Sequence, residues 1–379
     1  MLRAVLLLAT VVLPLHTFFE TKLASYGVVG GSLLVISSHR ISESEYYGEA
    51  NRERRQPVDQ STTFHWASIT KTFTGIAILQ LRDHGVLSLD DSVVKYVPEL
   101  RKVHDPYGPV DAITIRQLMT HSAGFRSPTW PWGGDHDWEP FEPTEWSQVV
   151  AMLPYTEVLF RPGSRHSYSN LGIVFLGQII ERLSGDPYQV YIDKNILKPL
   201  GMYASYFDRA PYYLLSHRAA GYSREKGLLK AAPFNFNSGI TVSNSGLNAP
   251  LSDMAKYLFF LLGKGAEPTN YDQVLRRPSL EEMFQKQLPI DSSDASQSAG
   301  SSGDDWIGLS FFLHRQGGRT YIGHGGEQGG FISHFYLDPA RGNAYIVAFN
   351  TDSSDAATDT HRLDRELRDE IFSTLFANR

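Results

Sequence analysis

Strand-forming sequence lies at both ends of this chain, with roughly two hundred residues of mostly helical pattern between. The early run is "GGSLLVISS", Gly30 to Ser38, an apolar stretch entered through glycines that predicts a buried strand. The late runs are "WIGLSFFLH", "RTYIGH", "GGFISHFYLDP" and "NAYIVAFNTD". The last two are joined across Asp338-Pro339-Ala340-Arg341-Gly342, which predicts a hairpin. From Phe73 to about Phe284 the periodicity is helical, with loops rich in Pro, Gly and Trp. A last helix, about Ala356 to Ala377, repeats Leu363, Leu367, Ile371 and Leu375 on one face and is expected to cover the sheet. Strands at the two ends around a helical middle imply an α/β (α+β) fold: one antiparallel sheet from the N- and C-terminal segments, flanked by helices, with an all-helical domain inserted. The expected sheet parts are about 20–70 and 300–379, and the helical part about 71–299. Clefts form at such junctions.

Composition narrows the functions. The net charge of −6 and the absence of any basic tract argue against a nucleic-acid partner. With no cysteine there is no disulfide and no thiol catalysis. The thirteen histidines include no His-x-x-x-His pair, so neither a metal nor another cofactor is expected. The start, "MLRAVLLLATVVLPLHTFF", carries an early arginine and an apolar stretch from Ala4 to Leu15, too short to span a bilayer comfortably. Residues 1–16 are therefore expected to be a signal peptide, leaving 17–379 as a periplasmic or secreted protein with no stable membrane span. If the segment is retained instead as a buried first helix, the protein is cytoplasmic. The polar, glycine-rich stretch Asp291 to Asp305 is expected to be a flexible loop.

Three short motifs carry the chemistry. Ser-x-x-Lys occurs three times, at Ser68/Lys71, Ser92/Lys95 and Ser223/Lys226, and only the first opens an apolar helical run, which stops at His84-Gly85. Residues three apart share a helix face, so the Lys71 amine can reach the Ser68 hydroxyl. A serine is a weak nucleophile until a neighbouring base activates it. Tyr168-Ser169-Asn170 stands on a turn before an amphipathic helix ending at Gly185, and no other of the 19 tyrosines has asparagine two positions on. A phenol beside a lysine ammonium is expected to have a lowered pKa and to shuttle protons. Asn170 can donate to a substrate carbonyl and bond the lysine. His324-Gly325-Gly326-Glu327 offers a glycine-exposed strand edge suited to an acyl group. The chain has no Gly-x-Ser-x-Gly elbow and no P-loop. His121, in "THSAGF", is expected to be a structural turn residue.

In that order the three motifs resemble those of the serine β-lactamase-like and penicillin-binding family, in its class C β-lactamase, D-alanyl-D-alanine carboxypeptidase and esterase branch. The resemblance covers about residues 20 to 375 and includes "ITIRQLMTHSAGF", "RPGSRHSYSNLG", "ILKPLGM" and "GLNAPLSDMAKYL". It implies Ser68 as the acylated nucleophile, Lys71 as its base, Tyr168 as proton shuttle and Asn170 as a substrate and lysine contact. It also implies His324 as the third-motif residue, with Gly325, Gly326 and Glu327 lining the substrate edge and the N–H groups of Ser68 and Glu327 forming the oxyanion hole. One departure is plain: the family's usual Lys-Thr-Gly is His324-Gly325-Gly326 here. An unperturbed histidine titrates near pH 6.5 and is mostly neutral at pH 7, so it holds a carboxylate poorly. The expected activity is therefore an acyl-serine hydrolase for a small ester, amide or D-amino-acid peptide. A β-lactamase and a catalytically silent scaffold are the alternatives.

Overall fold

The computed structural model describes residues 14–129, 143–232, 237–265, 270–291 and 305–376. Most of the expected signal segment and nearly all of the glycine-rich stretch, residues 292–304, lie outside them. Among the described residues no helix is long and apolar enough to cross a membrane.

The chain begins with α1 (Leu15–Ser25), β1 (Gly30–Ser37), β2 (Arg40–Asn51), β3 (Gln56–Pro57) and β4 (Thr63–His65), and then enters α2 (Thr70–Asp83). Next come α3 (Ile115–Met119), α4 (Trp146–Met152), α5 (Asn170–Ser184) and α6 (Tyr188–Ile192). Three short strands follow, β5 (Tyr206–Phe207), β6 (Tyr222–Glu225) and β7 (Leu228–Ala231), then α7 (Val242–Ser245), β8 (Leu247–Pro250), α8 (Leu251–Leu262) and α9 (Arg277–Met283). The last part holds β9 (Leu288–Pro289), β10 (Trp306–Ile307), β11 (Phe312–Gln316), β12 (Arg319–Gln328), β13 (Phe331–Asp338), β14 (Asn343–Phe349), β15 (Thr351–Ser353) and α10 (Thr360–Ile371).

Nine strands form one antiparallel sheet in the order β3-β2-β1-β14-β13-β12-β11-β10-β9. The early and late segments meet at its centre, where β1 pairs β14 from Gly31↔Phe349 to Ile36↔Ala344. Side chains alternate across this plane, as strand geometry requires. Leu33 and Val35 join Tyr345, Val347 and Phe349 under α1 and α10. Leu34 and Ile36 join Ile346, Phe335 and the apolar faces of α2, α5 and α8 on the opposite side.

Two expectations change. The middle of the chain is not purely helical, because β4-β8-β5 and β15-β6-β7 form two small three-stranded sheets. Strand β2 carries too many polar residues to announce itself, and its pairing follows from the tight Ser38-His39 turn, where both residues have positive φ. The last helix also starts later than expected, at Thr360, because the Asp359 carboxylate accepts the N–H groups of His361 and Arg362 and fixes its N-terminus. Its Leu363, Leu367 and Ile371 are fully buried against the sheet.

Candidate active site

Ser68 lies in a single 3₁₀ turn, Ala67–Ile69, that leads directly into α2. The turn is tight enough to hold Ala67 at φ +45°, an uncommon conformation for a residue with a side chain. Lys71 occupies the first turn of α2 with its side chain wholly buried. Its Nζ is 2.8 Å from Ser68 Oγ and donates to the Asn244 carbonyl at 2.9 Å. Burial pushes the lysine well below its ordinary value, because a low-dielectric interior disfavours the ammonium. The amine is therefore poised to accept a proton.

Tyr168 places its ring 5.0 Å from Lys71 Nζ, with Ser68 near enough to its hydroxyl to act on the phenol's pKa. The expected acidification of this phenol does not occur. Burial raises its pKa instead, and the nearby Ser68 offsets only part of that rise. The lysine that would have acidified it is itself a poor cation here.

Asn170 opens α5, and its backbone N–H donates to the Ser127 carbonyl at 3.0 Å. It is not a partner of Lys71, whose hydrogen bonds go to Ser68 and to the Asn244 carbonyl, so that part of the expected role is corrected. The preceding Ser169 caps α5 by accepting the Gly172 N–H at 2.9 Å. Its own N–H donates to His121 Nδ1 at 3.2 Å, and since an N–H can only donate, His121 carries its proton on Nε2. His121 sits at φ +51° with its ring 4.4 Å from that of Tyr168.

The third motif lies on β12. His324 turns to the face that carries α2 and α5, with its ring 5.0 Å from Phe312 and 6.5 Å from Tyr168. Its Nδ1–H donates to the Gly325 carbonyl at 2.6 Å. Burial pushes its pKa down to about 3. The expected change of charge near pH 6.5 is thus removed, and this imidazole is neutral at pH 5.5 as well as at pH 8. Glu327 is exposed and turns to the other face, toward His361 and the α10 side, with Nδ1 3.7 Å from its carboxylate.

The backbone of β12 supplies the remaining groups. Gly329 and Gly330 form a two-residue turn with both φ positive, so Gln328↔Phe331 is a hydrogen-bonded pair. Antiparallel pairs alternate, and the N–H and C=O of Glu327 and Gly325 therefore point away from β13. Pairing with β11 has already ended at Gly323↔Phe312, so this edge is unpaired beside Ser68. Gly326 permits the approach: a Cβ there would stand 2.2 Å from the Trp66 carbonyl. Gly326→Ala is accordingly expected to push β12 off the Ser68 turn and lower kcat/KM for an ester by at least about a hundredfold. Activity within threefold of wild type would show that the turn can give way.

The structure thus brings Ser68, Lys71, Tyr168 and His324 together, with Asn170 at the mouth of α5 and Gly325 and Gly326 along the open edge. Sequence reasoning missed the Asn244 carbonyl as the lysine's second partner. Its segment, "TVSNSG", is held by Thr74, whose hydroxyl donates to the Ser243 carbonyl at 2.6 Å.

Several known proteins resemble this one. Protein flp of Staphylococcus aureus (strain COL) is 26% identical over 339 residues, 89% of this chain, which spans 63% of that protein's length. Esterase EstB of Burkholderia gladioli is 29% identical over 202 residues, 51% of each chain. The octameric penicillin-binding protein homologue from Pyrococcus abyssi superposes with a TM-score of 0.77 at 29% identity, over 95% of this chain and 77% of that one. The family model described as Beta-lactamase matches residues 15–368, and by that match over nearly its whole length the chain belongs to the beta-lactamase family.

Proposed function

We propose that this protein is a serine hydrolase that works through an acyl-enzyme on Ser68 and cleaves a small neutral ester, amide or D-amino-acid peptide. The observation that carries the reading is the 2.8 Å approach of a buried, deprotonation-prone Lys71 amine to the Ser68 hydroxyl. Lys71 takes the Ser68 proton as Oγ attacks the carbonyl. The tetrahedral oxyanion is met by the N–H of Ser68, which has no acceptor in the first turn of its helix, and by the outward N–H of Glu327. Tyr168, a neutral phenol beside Ser68 and Lys71, relays the proton to the leaving group as the C–O or C–N bond breaks. Water then attacks the acyl-enzyme, its proton returns through the same groups, and Ser68 is restored. Asn170 and the Gly325–Gly326 edge hold the substrate.

Neutral substrates are favoured because the third-motif side chain is an uncharged imidazole. A short-chain nitrophenyl ester is expected to give a higher kcat/KM than a chromogenic cephalosporin, with a ratio that His324 leaves unchanged between pH 5.5 and 8. His324→Lys is expected to raise cephalosporin acylation by about tenfold or more, through the restored charge. A wild-type enzyme that turns over the cephalosporin faster than the ester refutes this choice of substrate.

A further inference from the structure

His65 lies three residues before Ser68, at the end of β4, and is almost completely buried. Its ring stands between two amides. The Asn248 side chain is oriented without ambiguity, because its Nδ2 donates to the Gly246 carbonyl at 3.0 Å and its Oδ1 must therefore face His65. A carbonyl oxygen only accepts, so His65 Nδ1–H donates to it, at 3.1 Å. The other ring nitrogen, Nε2, is 3.0 Å from the Gln328 side-chain amide, whose Oε1 is placed toward it. Burial pushes the imidazole down to about 4, so at neutral pH that nitrogen carries only a lone pair. Gln328 must then present its NH₂ end to it, a half-turn of the amide that leaves the geometry unchanged.

The two ends of this chain of bonds matter for the chemistry. Gln328 is the last residue of β12 and directly follows Glu327, whose N–H faces the open edge. Asn248 pairs with both His65 and Tyr206 in the small sheet that leads the backbone toward Ser68. Gln328–His65–Asn248 is thus a side-chain clamp across a place where β12 and the nucleophile segment touch through bare backbone. We propose that His65 is a positioning residue, which sets the separation of the Ser68 and Glu327 N–H groups by tying the end of β12 to the nucleophile strand. The inference rests on the proposed acyl-enzyme reading of the same site.

Four proteins test it: wild type, His65→Ala, His65→Gln and Gln328→Glu. The probes are phosphonylation of Ser68 by a fluorophosphonate and kcat and KM for a nitrophenyl ester. His65→Ala is expected to lower kcat and the phosphonylation rate by about tenfold to a hundredfold with KM within threefold, less than deletion of a whole oxyanion donor. His65→Gln, whose amide can both donate to Asn248 and accept from Gln328, is expected to recover most of the loss. Gln328→Glu needs no buried cavity and so guards against a variant that fails to fold. Its carboxylate only accepts, so the clamp survives while His65 is protonated and breaks as pH rises through the imidazole's raised pKa. A falling alkaline limb in kcat, absent from wild type, is the expected signature. If wild type is not phosphonylated at Ser68, the parent reading fails. If wild type is labelled, and His65→Ala matches it or Gln328→Glu shows the wild-type pH profile, the clamp is overturned.

Discussion

Ser68→Ala is expected to abolish turnover, by a factor on the order of 10⁴ or more, and to remove the single adduct that a fluorophosphonate leaves on the wild-type protein. Intact-mass measurement on both proteins reads the result. The other two Ser-x-x-Lys copies do not rescue it, and their surroundings explain why. Lys95 is largely exposed and paired with Asp91 at 3.0 Å, while Ser92 Oγ donates to the Asp111 carbonyl. Ser223 lies on β6 and Lys226 follows in a turn at φ +50°, so the helical spacing that joins such a pair is absent there. An adduct that persists in Ser68→Ala, or maps to Ser92 or Ser223, overturns the assignment.

Lys71→Met is expected to lower kcat/KM by about 10² to 10⁴ while leaving the protein as stable as wild type or more so. The sign follows from linkage. Burial depresses the Lys71 pKa, so below its ordinary value of about 10.5 the unfolded chain binds a proton that the folded one does not. The lysine's contribution to stability therefore grows as pH rises and is lost as pH falls toward the folded pKa. Methionine removes that penalty and leaves one unpaired carbonyl, at Asn244, worth about 1 kcal/mol or somewhat more. In activity the same titration appears as an acid limb, present in wild type and gone from the residual rate of the variant. Tyr168→Phe is expected to cost about as much, and the double variant little more, since the two act on one proton path. A thermal melt alongside the kinetics separates lost chemistry from lost folding. Near-normal turnover in Tyr168→Phe makes that residue a packing group.

The parts of this site that could be read in the sequence are those where identity and spacing suffice. Ser68 and Lys71 meet because three residues make one helical turn, and Gly326 is required because β12 passes against the Trp66 carbonyl. The terminal strands could be placed because long apolar runs leave few other destinations. What was hidden depends on burial and on backbone. The Tyr168 pKa moves opposite to the expectation because the phenol is itself buried, and the neighbouring Lys71, also buried, is a poor cation that does not offset this. His324 loses its titration through its own burial. The second partner of Lys71 is a main-chain carbonyl, which any residue at 244 would supply, so no residue type points to it. Strand β2 escaped notice because its polar residues find their place through β1 rather than through a core of their own.

The central pairing of β1 with β14 bears on how such a molecule comes into being. Residues some three hundred positions apart are direct neighbours there, and closing so long a loop carries an entropic cost before any contact rewards it. During synthesis at about 5–20 residues per second, the ribosome takes tens of seconds to move from β1 to β14. Through that interval Ser68 and Lys71 exist on a chain whose sheet has no middle. Ser68 therefore meets its facing strand only after β12 and β14 have been made, and an intermediate released early has β1 paired with β2 on one side and an apolar, unpaired edge on the side meant for β14, an invitation to aggregation that chaperones have to cover.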